Sequence, residues 1–299
     1  MFFKKNILNK YIYIVAFFIL VIIISFIYKK YNDKSNKYNE LRNLATEHLV
    51  DALRVYDVYD ENNKKLKFLR HGRKGDGGYV VPEITLSEAN VVLGYGISDD
   101  ISFEEEFSNL YNKPSYGFDC GIEVIEIKNR LCKFIRECIS SDKFLYKNQN
   151  SSNMVSSFSK QLKKLNLENQ KIFVKMDIEG AEYEAFKDIY KHSANITGIA
   201  LEIHFDYFHQ ILKATHLITR LNHDFYLVHV HPNNCCDHKR YIFKANNAIG
   251  RIPNVLELTF INKSLVHRAN ISLDQSHPQP IDMLNCPELD DIRFEIKSY

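Results

Sequence analysis

The stretch Lys171–Glu182, KIFVKMDIEGAE, constrains the fold more than any other part of the chain. Ile172, Phe173, Val174 and Met176 make a short, nearly continuous apolar run, the pattern of a central parallel strand covered on both faces. Asp177 and Glu179 fall where that strand must end, and Gly180 permits a tight turn. Ala185, Phe186, Ile189 and Tyr190 then recur at helical spacing. Strand, acid, glycine and helix in this order is how open α/β sheets build ligand sites at the carboxyl ends of their strands. A plainer reading, in which Asp177 and Glu179 only cap the helix, stays open at this point.

Other segments repeat the theme. Asn90–Gly96, NVVLGYG, reads as a buried strand ending in Gly-x-Gly, followed by a helix over Ser102–Leu110. This is the first unit of a Rossmann-like nucleotide-binding domain. The third glycine of the dinucleotide fingerprint is replaced by Asp99, and Asp99 and Asp100 would repel a pyrophosphate. A ligand carrying adenosine but no phosphate fits better. The next strand, Ser115–Phe118, ends in Asp119, close to the roughly 20-residue offset at which such folds place an acid on the ribose hydroxyls. Ile125–Ile139 reads as the crossover helix and Lys147–Ser157 as a polar, irregular stretch.

Ile196–His204 supplies another buried strand. Glu202 and His204 share one of its faces, as a site pair or as a hydrogen-bonded structural pair. Tyr207–Leu221 is amphipathic, with Phe208, Ile211, Leu212, Ile218 and Leu221 expected inward. Phe225–His231 and Val255–Ile261, the last strand, lack a helix between them and should pair antiparallel at the sheet edge. Arg70–Pro82 places three glycines around Asp76, a turn leading into a short strand. His229, His231, Cys235, Cys236 and His238 match no common zinc spacing, so no metal is expected and the loop reads as a polar, substrate-side one. Six cysteines without a CxxC pair read as reduced core thiols.

At the N-terminus, Tyr11–Tyr28 is apolar except for Ser25 and is bracketed by lysines, the pattern of a minimal transmembrane signal anchor. Lysines on both flanks leave orientation nearly undecided; a soluble domain on the non-cytoplasmic side is the expectation. Sequons stand at Asn150, Asn195, Asn262 and Asn270. The chain then divides into a tail (1–10), the anchor (11–28), a stem or linker (29–67) with Leu41, Leu44, Leu49 and Leu53 at helical spacing, a catalytic domain (68–270), and an irregular cover (271–299). At 299 residues it can bury one large core, and a net charge of only +2 gives no argument for nucleic acid.

The blocks RKGDGGYVVP, LGYGISDDISFE, FDC, KMDIEGAEYE, LEIH and HPNN, in this order over Phe68–Leu265, resemble the FkbM-type S-adenosylmethionine-dependent methyltransferases. The resemblance implies a seven-stranded sheet of order 3-2-1-4-5-7-6, S-adenosylmethionine as donor, and a hydroxyl on a glycan, glycolipid or related small molecule as acceptor. It implies that Gly94, Gly96, Asp76 and Asp177 bind the donor and that Asp119 holds its ribose. His204 is then the first candidate for general base, Glu179 the second, and Glu202, His231 and Asn234 face the acceptor. Two rivals are a membrane-anchored glycosyltransferase, for which the adjacent acids Asp99–Asp100 and Asp290–Asp291 are not DxD, and a non-catalytic anchored scaffold.

Overall fold

The computed structural model describes residues 29–141, 154–205, 208–235, 248–250, 252–273 and 275–296. Seven strands form the central sheet: β1 (Val91–Tyr95), β2 (Ser115–Phe118), β3 (Cys132–Ile135), β4 (Ile172–Met176), β5 (Ile196–His204), β6 (Phe225–Pro232) and β7 (Val255–Asn262). Their order across the sheet is 3-2-1-4-5-7-6. The first five run parallel, and β7 lies antiparallel between β5 and β6. The chain is therefore α/β with a mostly parallel, Rossmann-like sheet, and β6 and β7 pair antiparallel at its edge, as expected.

The apolar runs explain the two layers. Alternate residues of a strand point to opposite faces. In β4, Ile172, Val174 and Met176 enter one core while Phe173 enters the other. The first face is covered by α2 (Phe158–Leu165), α3 (Glu182–Ile189) and α4 (Phe208–Asp224), through Phe158 and Leu162, Ala185 and Phe186, and Ile211, Leu217 and Ile218. The second is covered by α1 (Ser102–Tyr111), through Phe103 and Phe107, together with Tyr79 and Val81 of the hairpin Phe68–His71/Tyr79–Pro82. Leu212 was expected inward on α4 but is 50% exposed; Ala214 and Leu217 fill that layer instead.

Several expectations fail here for identifiable reasons. Ile125–Ile139 is not a helix. Asn129 Oδ1 accepts from Leu131 N at 2.7 Å, an Asx turn, and Glu105 Oε1 accepts from Asn129 N at 2.8 Å, so the chain is turned into β3 and then Cys138–Ile139. The cysteines are not all thiols: Cys120–Cys138 and Cys235–Cys286 are disulfides, and Cys132 is free and buried. Residues 29–52 are helical, with Leu41 and Leu44 exposed and Leu49 and Leu53 fully buried.

The compact unit accordingly begins at Ala45 rather than Phe68, and it includes the tail. Tyr56–Tyr59 pairs with Arg268–Ile271, and Phe294–Ile296 pairs with both Ala248–Gly250 and Ser276–His277, so the tail is partly sheet. Asn262, one of the sequons, is buried with its Nδ2 donating to Ser193 O and Ile196 O. The expected anchor, Tyr11–Tyr28, and the sequon at Asn150 lie outside the described residues. Among the described residues no helix is long and apolar enough to cross a membrane.

Gly94 is demanded by packing rather than by a ligand. A Cβ there would sit 1.5 Å from Oε1 of Glu104, a buried carboxyl on α1 whose pKa burial pushes up to about 7. Gly94→Ala should cost about 1–3 kcal/mol or more in urea unfolding, and Glu104→Ala in the same chain should recover part of the loss. Strictly additive losses in the double variant would show that the two residues do not share this space.

Candidate functional site

At the carboxyl ends of β1, β2 and β4 lies a cavity of about 510 Å³. Its walls are the turn after β1, from Gly96 to Asp100, the residues Asp119–Gly121 after β2, and Asp177–Glu179 after β4, with Asp76 and Arg73 from the glycine-rich turn closing one side. The cavity exists because two strand ends approach very closely. Gly96 has φ +73°, and a Cβ on it would lie 1.5 Å from the carbonyl oxygen of Asp177, so only glycine lets β1 turn away here.

Asp119 is pre-set by two backbone donors. Ser98 N donates to its Oδ2 at 3.0 Å and Gly121 N to its Oδ1 at 2.7 Å, leaving each oxygen a further acceptor site. Asp99 and Asp100, in the same turn as Ser98, stand 3.8 and 3.4 Å from Arg73. Sequence reasoning did not single out several wall residues: Lys175, whose Nζ donates to Gly96 O at 3.3 Å; Glu137, paired with Lys164 at 2.8 Å; and the Cys120–Cys138 disulfide. Lys175 was hidden as the one polar residue inside an apolar strand. Glu137 was hidden inside the mistaken helix.

The turn after β4 is held from below. Glu182, fully buried at the start of α3, accepts from Ile178 N at 3.2 Å and Gly180 N at 3.0 Å through Oε1. This forces Glu179 to φ +54°, a left-handed conformation that costs a non-glycine residue about 1–3 kcal/mol and tends to mark functional turns. Asp177 faces the cavity with Oδ1 buried and without a hydrogen-bond partner. Burial first and Glu202 second raise its pKa well above the usual carboxylate range.

His204 lies behind this turn rather than on the cavity wall. Its Nε2 is 3.3 Å from both Glu179 and Glu202, and its Nδ1 is 3.4 Å from Glu182. Burial alone would lower its pKa, but Glu182 and Glu202 outweigh it and push it up to about 11. At neutral pH the ring is an imidazolium, which cannot accept a proton, so the expectation that His204 is the base is corrected on electrostatic grounds.

Glu202, Glu257 and His231 form one row across three strands, Glu202 opposite Glu257 on β5 and β7 and His231 opposite Glu257 on β6. His231 Nδ1 is 2.9 Å from Glu257, which raises its pKa despite its burial. Asn234 is not on the acceptor side: its Nδ2 donates to Cys286 O and Leu289 O, and its Oδ1 accepts from Cys286 N. Its neighbour Asn233 is the one that reaches the acids, donating to Glu202 at 3.0 Å. Gly94 is likewise off the wall, whereas Asp76, Gly96, Asp119, Asp177 and Glu179 are on it. Two sets could hold a metal, Asp177–Glu179–His204 and Asp76–Glu202–Glu257.

Comparison with protein-family models, curated proteins and solved structures returns no match to this chain.

The sign of the His204 linkage can be measured. A folded pKa of about 11 against 6.5 stabilises fully below 6.5, progressively less above it, and not at all once pH passes about 11. The Tm deficit of His204→Gln relative to the parent chain should therefore shrink as pH rises through this window. A deficit constant with pH would contradict the imidazolium assignment.

Proposed function

We propose that this chain is an S-adenosylmethionine-dependent O-methyltransferase of the FkbM type, anchored by Tyr11–Tyr28 and acting on a hydroxyl of a glycan, glycolipid or related small molecule. The observation that carries the reading is Asp119 at the end of β2: Ser98 N of the Gly96–Asp100 turn and Gly121 N orient its two oxygens on the cavity wall. A carboxylate held in this way suits the two hydroxyls of a ribose. Asp99 and Asp100, next to Ser98 on the cavity wall, disfavour a phosphate, which this donor lacks. About 510 Å³ also falls in the range of small-ligand sites.

When bound, the donor supplies an electrophilic methyl on a sulfonium. Transfer to an acceptor oxygen forms O–C, breaks S–C, releases the thioether and leaves the hydroxyl proton to be taken up. The protein's task is alignment, which can supply roughly 7–11 kcal/mol, plus a proton acceptor worth about 10²–10⁴-fold. Glu179 on the same wall is assigned the proton, while Asp177, whose proton affinity burial and Glu202 raise, faces the cavity through its unpartnered Oδ1. His204 acts as a positioning residue that fixes Glu179 and Glu202. Two disulfides support a domain on the non-cytoplasmic side of a membrane.

Calorimetry of the full chain with S-adenosylmethionine tests the donor. Asp119→Ala should weaken binding about 10- to 100-fold, the loss of charged hydrogen bonds worth about 1.5–3 kcal/mol. Binding of a UDP-sugar with no affinity for S-adenosylmethionine would turn the reading to a glycosyltransferase.

A further inference from the structure

Beside the cavity, three carboxylates from three separate segments converge. Asp76 comes from the glycine-rich turn, Glu202 from β5 and Glu257 from β7, and one oxygen of each lies within 4.8 Å of the others. Glu202 and Glu257 are each only 4% exposed and stand directly opposite one another. Like charges this close in a buried place repel strongly. The fold nevertheless clips them together. Asn233 Nδ2 donates to Glu202 at 3.0 Å and to Asp76 at 3.4 Å, and Asn285 Nδ2 donates to Glu257 at 2.5 Å and to Asp76 at 3.2 Å. The Cys235–Cys286 disulfide joins the two loops that carry these asparagines. The remaining oxygens of Glu202 and Glu257 are engaged by His204 at 3.3 Å and His231 at 2.9 Å.

A second, independent observation points to a ligand. The hydroxyl of Tyr79 is buried, with the residue 1% exposed, and has no hydrogen-bond partner, although Asp76, Asp177, Glu202 and Glu257 all act on it electrostatically. Asn285 Oδ1 is also buried without a partner. A buried phenol oxygen normally finds a partner, so the Tyr79 orphan beside this carboxylate cluster marks an unmet coordination need. Every available donor is oxygen, which selects a hard cation over a soft one.

We propose that Asp76, Glu202 and Glu257 hold a divalent hard cation of the magnesium, manganese or calcium class, with the Tyr79 hydroxyl as a further oxygen donor and the Asn233 and Asn285 amides clipping the three acids together. Asp76 lines the cavity as well, so the open positions of such an ion face the acceptor side, where an oxygen-rich group such as a vicinal diol could bind. The rival set, Asp177–Glu179–His204, is told apart by the Glu179→Gln variant. The proposal does not rest on the methyl donor.

The test is a MnCl2 titration of chelator-stripped, full-length protein, with free Mn²⁺ read by electron paramagnetic resonance and MgCl2 and CaCl2 compared as competitors. One saturable Mn²⁺ per chain is expected. It should be weakened about tenfold or more by Glu257→Gln and by Asn285→Ala, and left unchanged by Glu179→Gln. Asp76→Asn, in a turn outside the core strands, replaces Glu257→Gln if that variant fails to fold by circular dichroism. The absence of saturable binding, Mn²⁺ retained by Glu257→Gln and Asp76→Asn alike, or loss confined to Glu179→Gln would each overturn the proposal.

Discussion

The site depends on how closely β1 and β4 run at their carboxyl ends. With the Asp177 carbonyl 1.5 Å from where a Gly96 Cβ would stand, neither chain can continue straight, and each must turn away from the other. The two turns diverge and open the cavity between them. The Gly96–Asp100 turn, the Asp177–Glu179 turn and Asp119 after β2 surround this one space. Sheet order does the rest: β2 lies next to β1 and brings Asp119 to the cavity, while Glu202 on β5, next to β4, stays buried off its wall.

Charge is managed by histidines set behind acids. His204 faces three carboxylates from the β4 turn, α3 and β5. His231 faces Glu257, while His229 pairs with Asp282 of the tail at 3.0 Å. A protonated ring in such a place orients carboxylates and lowers their mutual repulsion, but it removes itself from proton abstraction. His204, whose pKa Glu182 and Glu202 push up to about 11, is thereby a positioning cation rather than a proton acceptor.

The central sheet was legible because its strands are apolar runs ending in acid or glycine, a signal set by burial on both faces. β1, β2, β4, β5, β6 and β7 therefore fall where periodicity puts them, and Asp119 and Asp177 with them. What was not legible depends on tertiary partners. Cys132–Ile135 has too few residues to declare a period, and Asn129 with Glu105 decides in favour of a strand. The pairing of Cys235 with Cys286, fifty-one residues apart, cannot be read from spacing, and with it the arrival of Asn285 beside Glu257 was invisible. The pair Glu202 and His204 on one face of β5 was recognisable, but the protonation of His204 follows from Glu182 as well as Glu202, and only the folded chain brings Glu182 to it.

The central claim is that the cavity between the β1 and β4 turns receives an adenosine-bearing methyl donor with its ribose on Asp119. The most direct measurement is a crystal structure of the full-length chain grown with S-adenosylhomocysteine. Ribose hydroxyls within about 3.2 Å of the Asp119 carboxylate, and the sulfur directed toward Asp177, are the predicted result. A nucleoside bound elsewhere, or a cavity filled by the protein's own side chains at saturating ligand, would contradict it.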